Sequence, residues 1–210
     1  MNITVIGAGN MGSAFVKQLT RVGHQVTVAS RNSEKAKAVA AANPGATTVE
    51  LANAASYADV IVLATAFDEA VTALKSIGDL NGKVVIDITN PLTTDYMGLT
   101  LGHSTSAAEE IAKAVPEIEV VKAFNTVFAQ VLSEGADFGN GQTVSVFVAS
   151  DSQRAKQTAR ALAESIGFLV IDAGGLKNAR YLEPSGGLNI YFGFGAGLGT
   201  DIAPTWIHKN

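Results

Sequence analysis

Short runs of apolar, mostly β-branched residues alternate along the chain with longer stretches in which apolar residues recur at helical spacing. The apolar runs predict about eight strands, at residues 3–6, 25–29, 47–50, 59–64, 83–88, 120–124, 144–149 and 168–171. The stretches between them predict helices at residues 11–22, 33–42, 67–77, 107–115 and 152–165. Strands and helices that alternate at this spacing form βαβ units, so we expect a doubly wound, mainly parallel α/β sheet with helices on both faces.

Caps and glycines predict where these helices begin and end. Ser106 followed by Glu109 forms a capping box, and Ser33 is the predicted N-cap of the second helix. Gly23 and Gly167 are expected to end the first and the last of the helices, because glycine readily takes the left-handed conformation found after a helix C-terminus.

The last part of the chain differs in composition, because glycines are interspersed there with Tyr191, Phe192, Phe194 and Trp206. Glycine weakens helices, so this part is predicted to be irregular or to contain a broken helix. No linker-like stretch divides the chain. We therefore expect one domain over residues 1–210, with a sheet core at 1–173 and a closing segment at 174–210.

Composition excludes several function classes. The 210 residues include no cysteine, which rules out disulfides, thiolate metal sites and cysteine nucleophiles. A net charge of −4 argues against a nucleic-acid partner. No apolar run reaches the roughly 18 residues that a membrane helix needs. The strand-like start leaves no room for a signal peptide, and we expect a cytoplasmic protein.

The first predicted strand runs directly into a glycine-rich turn, Gly7-Ala8-Gly9-Asn10-Met11-Gly12, which opens a helix. In this pattern Gly7 allows the tight turn, Gly9 lets the backbone approach a pyrophosphate, and Gly12 lets the helix pack closely on the strand. Backbone N–H groups and the positive end of the helix dipole then face the phosphates. The turn therefore predicts a Rossmann fold that binds a dinucleotide.

The end of the second strand indicates which dinucleotide is bound. NAD-specific sites place a carboxylate there, whereas this chain has Ala29-Ser30-Arg31 and no acid before Glu34. Arg31 can pair with a 2′-phosphate, Ser30 can donate to it, and Lys35 lies one helical turn further on. We expect NADP. The alternative is that Arg31 and Lys35 are ordinary surface charges.

Two further strand ends should border the same crevice. Thr65 and Ala66 follow the fourth strand, and Asn90 and Pro91 follow the fifth. Ligands bind at the carboxyl ends of parallel strands, so Asn90 could hydrogen-bond a ribose or the nicotinamide amide. A turn residue before proline is the alternative interpretation of Asn90.

Together these motifs resemble the F420-dependent NADP oxidoreductase family, which includes the NADP-binding domain of the STEAP metalloreductases. The resemblance is carried by the glycine turn, Ser30-Arg31 with Lys35, and the segments at residues 87–91, 121–127 and 172–184. It implies a homodimer, NADP, and hydride transfer to a deazaflavin (coenzyme F420) or a flavin. It also places Ala123 and Asn125 near the nicotinamide. The family has a more hydrophobic helix where this chain has Ser185-Gly186-Gly187.

Hydride transfer between two ring systems requires no side-chain acid or base. His103 and Lys177 are nevertheless weak catalytic candidates, with an ordinary loop or surface position as the alternative for each; the remaining histidines are His24 and His208. Two other functions stay open. One is a reductase of a small carbonyl or imine substrate, with Lys177 or His103 as proton donor. The other is a non-catalytic NADP sensor that uses its aromatic tail to bind a partner. No metal site is expected.

Overall fold

The structure is a computed structural model that describes residues 1–206. In this range the chain forms eight strands: β1 Asn2–Ile6, β2 Gln25–Ala29, β3 Ala46–Thr48, β4 Val60–Leu63, β5 Val84–Asp87, β6 Glu119–Lys122, β7 Ser145–Val148 and β8 Leu169–Asp172. It also forms seven α-helices: α1 Asn10–Arg21, α2 Ser33–Ala41, α3 Phe67–Lys75, α4 Ala107–Ala114, α5 Ala129–Glu134, α6 Gln153–Ser165 and α7 Ala179–Ile190. The Rossmann-type α/β fold is confirmed.

The predicted strands are all present, but they do not form one sheet. Six of them make a parallel sheet in the order β3-β2-β1-β4-β5-β6, and β7 pairs with β8 in a separate two-stranded sheet. A single antiparallel bridge between Lys122 and Ala149 links the two sheets. The strand order reverses direction between β1 and β4, and this switch point is where open α/β sheets bind ligands.

The central strands β4 and β5 are buried on both faces, which explains why they are almost entirely apolar. Successive side chains of a strand point to opposite faces. Val60 and Val62 of β4 therefore pack in the core on one side, and Ile61 and Leu63 pack in the core on the other. The helices supply the outer walls of the two cores, as the alternating pattern predicts.

The helix ends agree with the sequence at most positions. Ser106 caps α4 by accepting a hydrogen bond from the backbone N–H of Glu109, and Gly23 and Gly167 follow α1 and α6 with positive φ angles. The prediction for α2 was wrong by one residue. Asn32, not Ser33, is the N-cap, because its side-chain oxygen accepts from the N–H of Lys35 at 3.0 Å.

The C-terminal segment is more helical than its glycine content suggests. Helix α7 runs through Pro184, Gly186 and Gly187, and a π-helical turn, Tyr191–Gly195, continues it. The chain therefore keeps a helix at Ser185-Gly186-Gly187, where its sequence departs from the family pattern. The sequence from 196 to 206 is irregular. His208 and the rest of residues 207–210 lie outside the described range.

Candidate functional site

The glycine turn has the close-packed geometry that its sequence predicts. Gly7 has a φ of +115°, and a Cβ at that position would overlap the carbonyl oxygen of Ala64. A Cβ on Gly12 would overlap the carbonyl oxygen of Gly7, so the start of α1 packs directly on the turn. Gly9 instead faces open space, with no atom within 4 Å of where its Cβ would stand. The turn therefore leaves room for a ligand beside Gly9, at the N-terminus of α1.

A cavity of about 330 Å³ lies on the β2 side of the turn, and we call it the Ser30 cavity. It is lined by residues that include Gly7, Ser30, Arg31, Thr65 and Ala66. The structure thus brings together the predicted residues of three strand ends. Within the described range, the buried Oγ1 of Thr65 has no hydrogen-bond partner, which leaves it free for a ligand.

Arg31 stands between the Ser30 cavity and a second hollow of about 670 Å³ that Lys37 also lines. The Arg31 side chain is 71% exposed, and its Nη1 donates to Oε2 of Glu69 at 2.7 Å. Lys35 lines neither hollow, and its side chain is exposed on α2. Ser30 and Arg31 therefore border both hollows at the end of β2, where the phosphate site was predicted, and Lys35 does not.

A second cavity of about 330 Å³ lies on the other side of the glycine turn, beyond Asn10 and Met11, and we call it the Asn125 cavity. Asn90 and Asn125 meet at its wall. Nδ2 of Asn90 donates to the backbone oxygen of Asn125 at 2.8 Å, and Nδ2 of Asn125 donates to Oδ1 of Asn90 at 2.9 Å. A further bond from Nδ2 of Asn125 to the Leu182 carbonyl fixes the amide orientation. The Oδ1 atom of Asn125 is buried and has no partner among residues 1–206.

Phe124 holds Asn125 in this position through an unusual backbone conformation. Its φ is +61°, in the left-handed region that costs a non-glycine residue about 1–2 kcal/mol. The Phe124 ring is buried and makes edge-to-face contacts with Phe15 at 5.0 Å and Phe168 at 5.8 Å. Burial of the ring offsets the strain. The turn after β6 is therefore rigid where it borders the cavity.

Pro91 and Ala123 are two further residues that were predicted to border the site. Both residues are buried, and neither lines the two cavities. The carbonyl oxygen of Pro91 accepts a bond from the N–H of Thr100 at 2.7 Å, and the N–H of Ala123 donates to the carbonyl oxygen of Asp87 at 3.1 Å.

Sequence reasoning missed a buried charge cluster beneath the two asparagines. Lys122 is fully buried, and its three N–H groups reach Oδ2 of Asp87 at 2.7 Å, Oε1 of Glu183 at 2.8 Å and the carbonyl oxygen of Thr89 at 2.6 Å. Glu183 also accepts from the N–H groups of Ala107 and Ala108 at the start of α4. Burial raises the pKa of the Glu183 carboxyl, although Lys122 opposes the shift. The cluster ties α7 to β5, β6 and α4.

Helix α7 approaches the asparagine pair closely because residue 186 is glycine. A Cβ on Gly186 would lie 2.7 Å from Oδ1 of Asn90 and 2.8 Å from the carbonyl oxygen of Asn125. A Cβ on Gly187 would lie 3.4 Å from Leu99, which is an ordinary contact. Of the two glycines that depart from the family pattern, only Gly186 is therefore required by close packing.

We expect Gly186→Ala to lower the free energy of unfolding by about 1–3 kcal/mol, because the added methyl group must push α7 away from Asn90 and Asn125. Gly187→Ala is the matched control. It should leave stability unchanged or raise it by up to about 1 kcal/mol, because alanine favours helix more than glycine does. Urea unfolding of the three proteins measures the difference. Equal effects of the two substitutions would contradict this description of the packing.

The glycine-aromatic tail borders the Asn125 cavity. Phe194 lines the cavity and packs edge-to-face on Phe128 at a ring distance of 5.7 Å. Gly193 makes this possible, because a Cβ there would stand 2.6 Å from Cζ of Phe128. Tyr191 and Phe192 keep about half of their surfaces exposed. The tail thus forms one wall of the cavity and also presents apolar surface outward.

Neither weak catalytic candidate lies at these cavities. His103 is exposed in the loop before α4, and Lys177 is exposed in the short 3₁₀ turn before α7. Among residues 1–206, no histidine, lysine or carboxylate lines the Asn125 cavity, and its one titratable side chain is Tyr96. The cavity can therefore hold and orient a ring, but it offers little for acid–base catalysis.

No group of three or more His, Asp or Glu side chains is placed to hold a metal ion between residues 1 and 206. No helix in that range is both long and apolar enough to span a bilayer.

Comparisons with known proteins show which proteins this chain is similar to. Residues 2–91 match the family described as NADP oxidoreductase, coenzyme F420-dependent. The F420-dependent NADP reductase of Methanothermobacter thermautotrophicus is 34% identical over 200 residues, which cover 87% of this chain and 85% of that protein. A solved structure from Arthrobacter sp. FB24, provisionally named an F420-dependent NADP reductase, is 29% identical, with a TM-score of 0.84 over 96% of each chain.

The metalloreductase STEAP3 of Rattus norvegicus is also similar, with 32% identity over 182 residues. This match covers 86% of the present chain but only 35% of STEAP3. The chain therefore spans about a third of the length of that relative.

Proposed function

The chain belongs to the coenzyme F420-dependent NADP oxidoreductase family, and we propose that it transfers hydride between NADP(H) and a flat ring acceptor, a deazaflavin such as coenzyme F420 or a flavin. The observation that carries this proposal is the Asn125 cavity. It adjoins the glycine turn through Asn10 and Met11, and its remaining walls are mostly apolar and aromatic. A cavity of this kind suits a ring held against the nicotinamide end of a dinucleotide.

The residues present fit NADP on three grounds. Gly9 leaves open space at the N-terminus of α1 for a pyrophosphate. Ser30 and Arg31 supply donors for a 2′-phosphate at the end of β2, where an NAD site would have an acid. Thr65 and Asn125 each hold a buried oxygen without a partner in the described range. Bound NADPH would supply the hydride.

In this proposal the side chains around the Asn125 cavity act by orientation and by exclusion of water. Asn125 is held by Asn90, Leu182 and the strained turn at Phe124, so its free oxygen has a fixed direction. Helix α7 and Phe194 cover one side of the cavity. Alignment of two rings requires a rigid pocket that excludes water, and no proton donor is needed.

The proposal is tested by an acceptor panel under anaerobic conditions. The purified protein is given NADPH or NADH together with coenzyme F420, FMN or a cyclic imine, and the nicotinamide and acceptor absorbances are followed. We expect F420 or FMN to be reduced with NADPH and much more slowly with NADH. Reduction of the imine alone would favour a small-substrate reductase, in which Tyr96 would be the titratable group at the cavity. NADPH binding without any turnover would contradict the proposal.

We also propose that the chain forms a homodimer through the exposed apolar side chains of α7 and the tail. Leu188, Tyr191, Phe192, Leu198 and Trp206 are each at least 41% exposed. A group of large apolar side chains on one segment is typical of a protein–protein contact. Light scattering on the purified protein should give twice the mass of one chain. A monomer at micromolar concentration would contradict this.

A further inference from the structure

Glu69 places a carboxylate in the Ser30 cavity, where the proposed function puts the 2′-phosphate of NADP. Its Oε2 lies 2.7 Å from Nη1 of Arg31, and both side chains line the same cavity. We propose that Glu69 is a specificity-determining residue that competes with the 2′-phosphate for Arg31 and so limits the preference for NADPH over NADH. This inference rests on the proposed function.

The charges around Arg31 explain why competition between Glu69 and the 2′-phosphate would weaken NADPH binding. Lys37, which lines the neighbouring hollow, is already paired with Glu34 at 2.8 Å. Arg31 is the one cation among residues 1–206 that lines the Ser30 cavity itself, whereas Lys37 lines only the neighbouring hollow and Lys35 lines neither. A dianionic phosphate that approaches Arg31 meets the Glu69 carboxylate as well, and two anions that share one guanidinium repel each other. Binding of the phosphate must weaken or displace the existing ion pair.

The Glu69 carboxylate is chemically suited to bind NADH. NAD sites hold the adenosine ribose through an acid that accepts hydrogen bonds from its hydroxyl groups, and that acid normally follows the second strand. Here β2 ends at Ala29 and is followed by Ser30 and Arg31, neither of which is an acid. Glu69 supplies a carboxylate to the same cavity from the first turn of α3. It therefore repels the phosphate of NADPH but can accept from the ribose hydroxyl of NADH.

A role of Glu69 in stabilising α3 can be separated from its proposed role in nucleotide specificity. Acidic residues in the first turn of a helix stabilise it by interacting with the helix dipole, and α3 has two of them, Asp68 and Glu69. Asp68 is exposed and does not line the Ser30 cavity. Asp68→Asn consequently removes the same helix-terminal charge without touching Arg31, and is the matched control for Glu69→Gln.

Calorimetric titration with NADPH and with NADH tests the inference without any acceptor or turnover. We expect Glu69→Gln to tighten NADPH binding about fivefold, the upper end of the range for one exposed charge pair, and to leave NADH binding unchanged or weaker. Asp68→Asn should change neither dissociation constant by more than about twofold. Adenosine 2′,5′-bisphosphate, which lacks the nicotinamide, should show the same fivefold gain as NADPH.

The possible outcomes separate a failure of this inference from a failure of the proposed function. A wild-type protein that binds neither nucleotide, or binds NADH more tightly than NADPH, contradicts the proposed NADP site itself. A wild-type protein that prefers NADPH, and whose Glu69→Gln variant binds NADPH no better or less well, overturns the role of Glu69 alone. Weaker binding in that variant would mean that Glu69 positions Arg31 for the phosphate.

Discussion

Replacing Arg31 with alanine should raise the dissociation constant for NADPH about 10- to 100-fold and change that for NADH by no more than about twofold. A hydrogen bond to a charged group contributes about 1.5–3 kcal/mol, which corresponds to this range. The substitution removes the guanidinium that borders both hollows at the end of β2. Quenching of protein fluorescence or calorimetric titration with each nucleotide measures the effect.

Arg21→Ala is the control for this prediction. Arg21 is an exposed arginine at the far end of α1, where its Nε donates to Gln18 at 2.9 Å. Its removal changes the net charge equally but leaves the Ser30 cavity intact. Two results would show that Arg31 has no specific role toward the 2′-phosphate. One is an equal loss of NADPH affinity in both variants, and the other is an equal loss of affinity for NADH and NADPH in Arg31→Ala.

Replacing Lys122 with methionine should lower the free energy of unfolding by about 3–5 kcal/mol, because removal of one partner leaves buried charge uncompensated. The ammonium group is fully buried between Asp87 and Glu183. Without it, two carboxylates remain close together with no cation beside them. The loss should also loosen α7 over the Asn125 cavity, since Glu183 is the residue through which the cluster holds that helix.

Denaturant unfolding compares this variant with Lys37→Met. Lys37 forms an exposed ion pair with Glu34, and exposed pairs contribute less than about 1 kcal/mol. A loss of similar size in the two proteins would show that the buried cluster is not an important contributor to stability. Asp87→Asn in the Lys122→Met background should recover part of the loss, because it removes one of the two stranded anions.

The sheet and the glycine turn could be predicted from the sequence because local patterns determine both. Strands buried on two faces are nearly all apolar, and a glycine is needed wherever a Cβ would overlap backbone, as at Gly7 and Gly12. The split into two sheets could not be predicted. Strand pairing depends on which edges meet in space, and the bridge that links the two sheets pairs Lys122 of β6 with Ala149, the residue after β7.

The parts of the site that were missed depend on contacts between distant segments. Glu69 belongs to α3 and Arg31 follows β2, so their ion pair gives no local signal. The Gly186 contact with Asn90 is equally non-local. The buried cluster did leave a signal in the sequence. Asp87 ends the otherwise apolar strand β5, Lys122 follows two valines at the end of β6, and the parallel register pairs the two residues directly. Opposite charges that end two buried strands could have indicated an internal ion pair.

Transfer of deuterium from NADPH to coenzyme F420 tests the central claim most directly. The protein is mixed anaerobically, in ordinary water, with F420 and NADPH deuterated at its transferable position, and the reduced F420 is analysed by mass spectrometry. A deazaflavin has a ring carbon in place of the reactive flavin nitrogen, so a transferred deuterium is retained. We predict one deuterium in each reduced F420. Reduced F420 that carries only solvent hydrogen, or bound NADPH that reduces neither F420 nor FMN, would contradict direct hydride transfer at the Asn125 cavity.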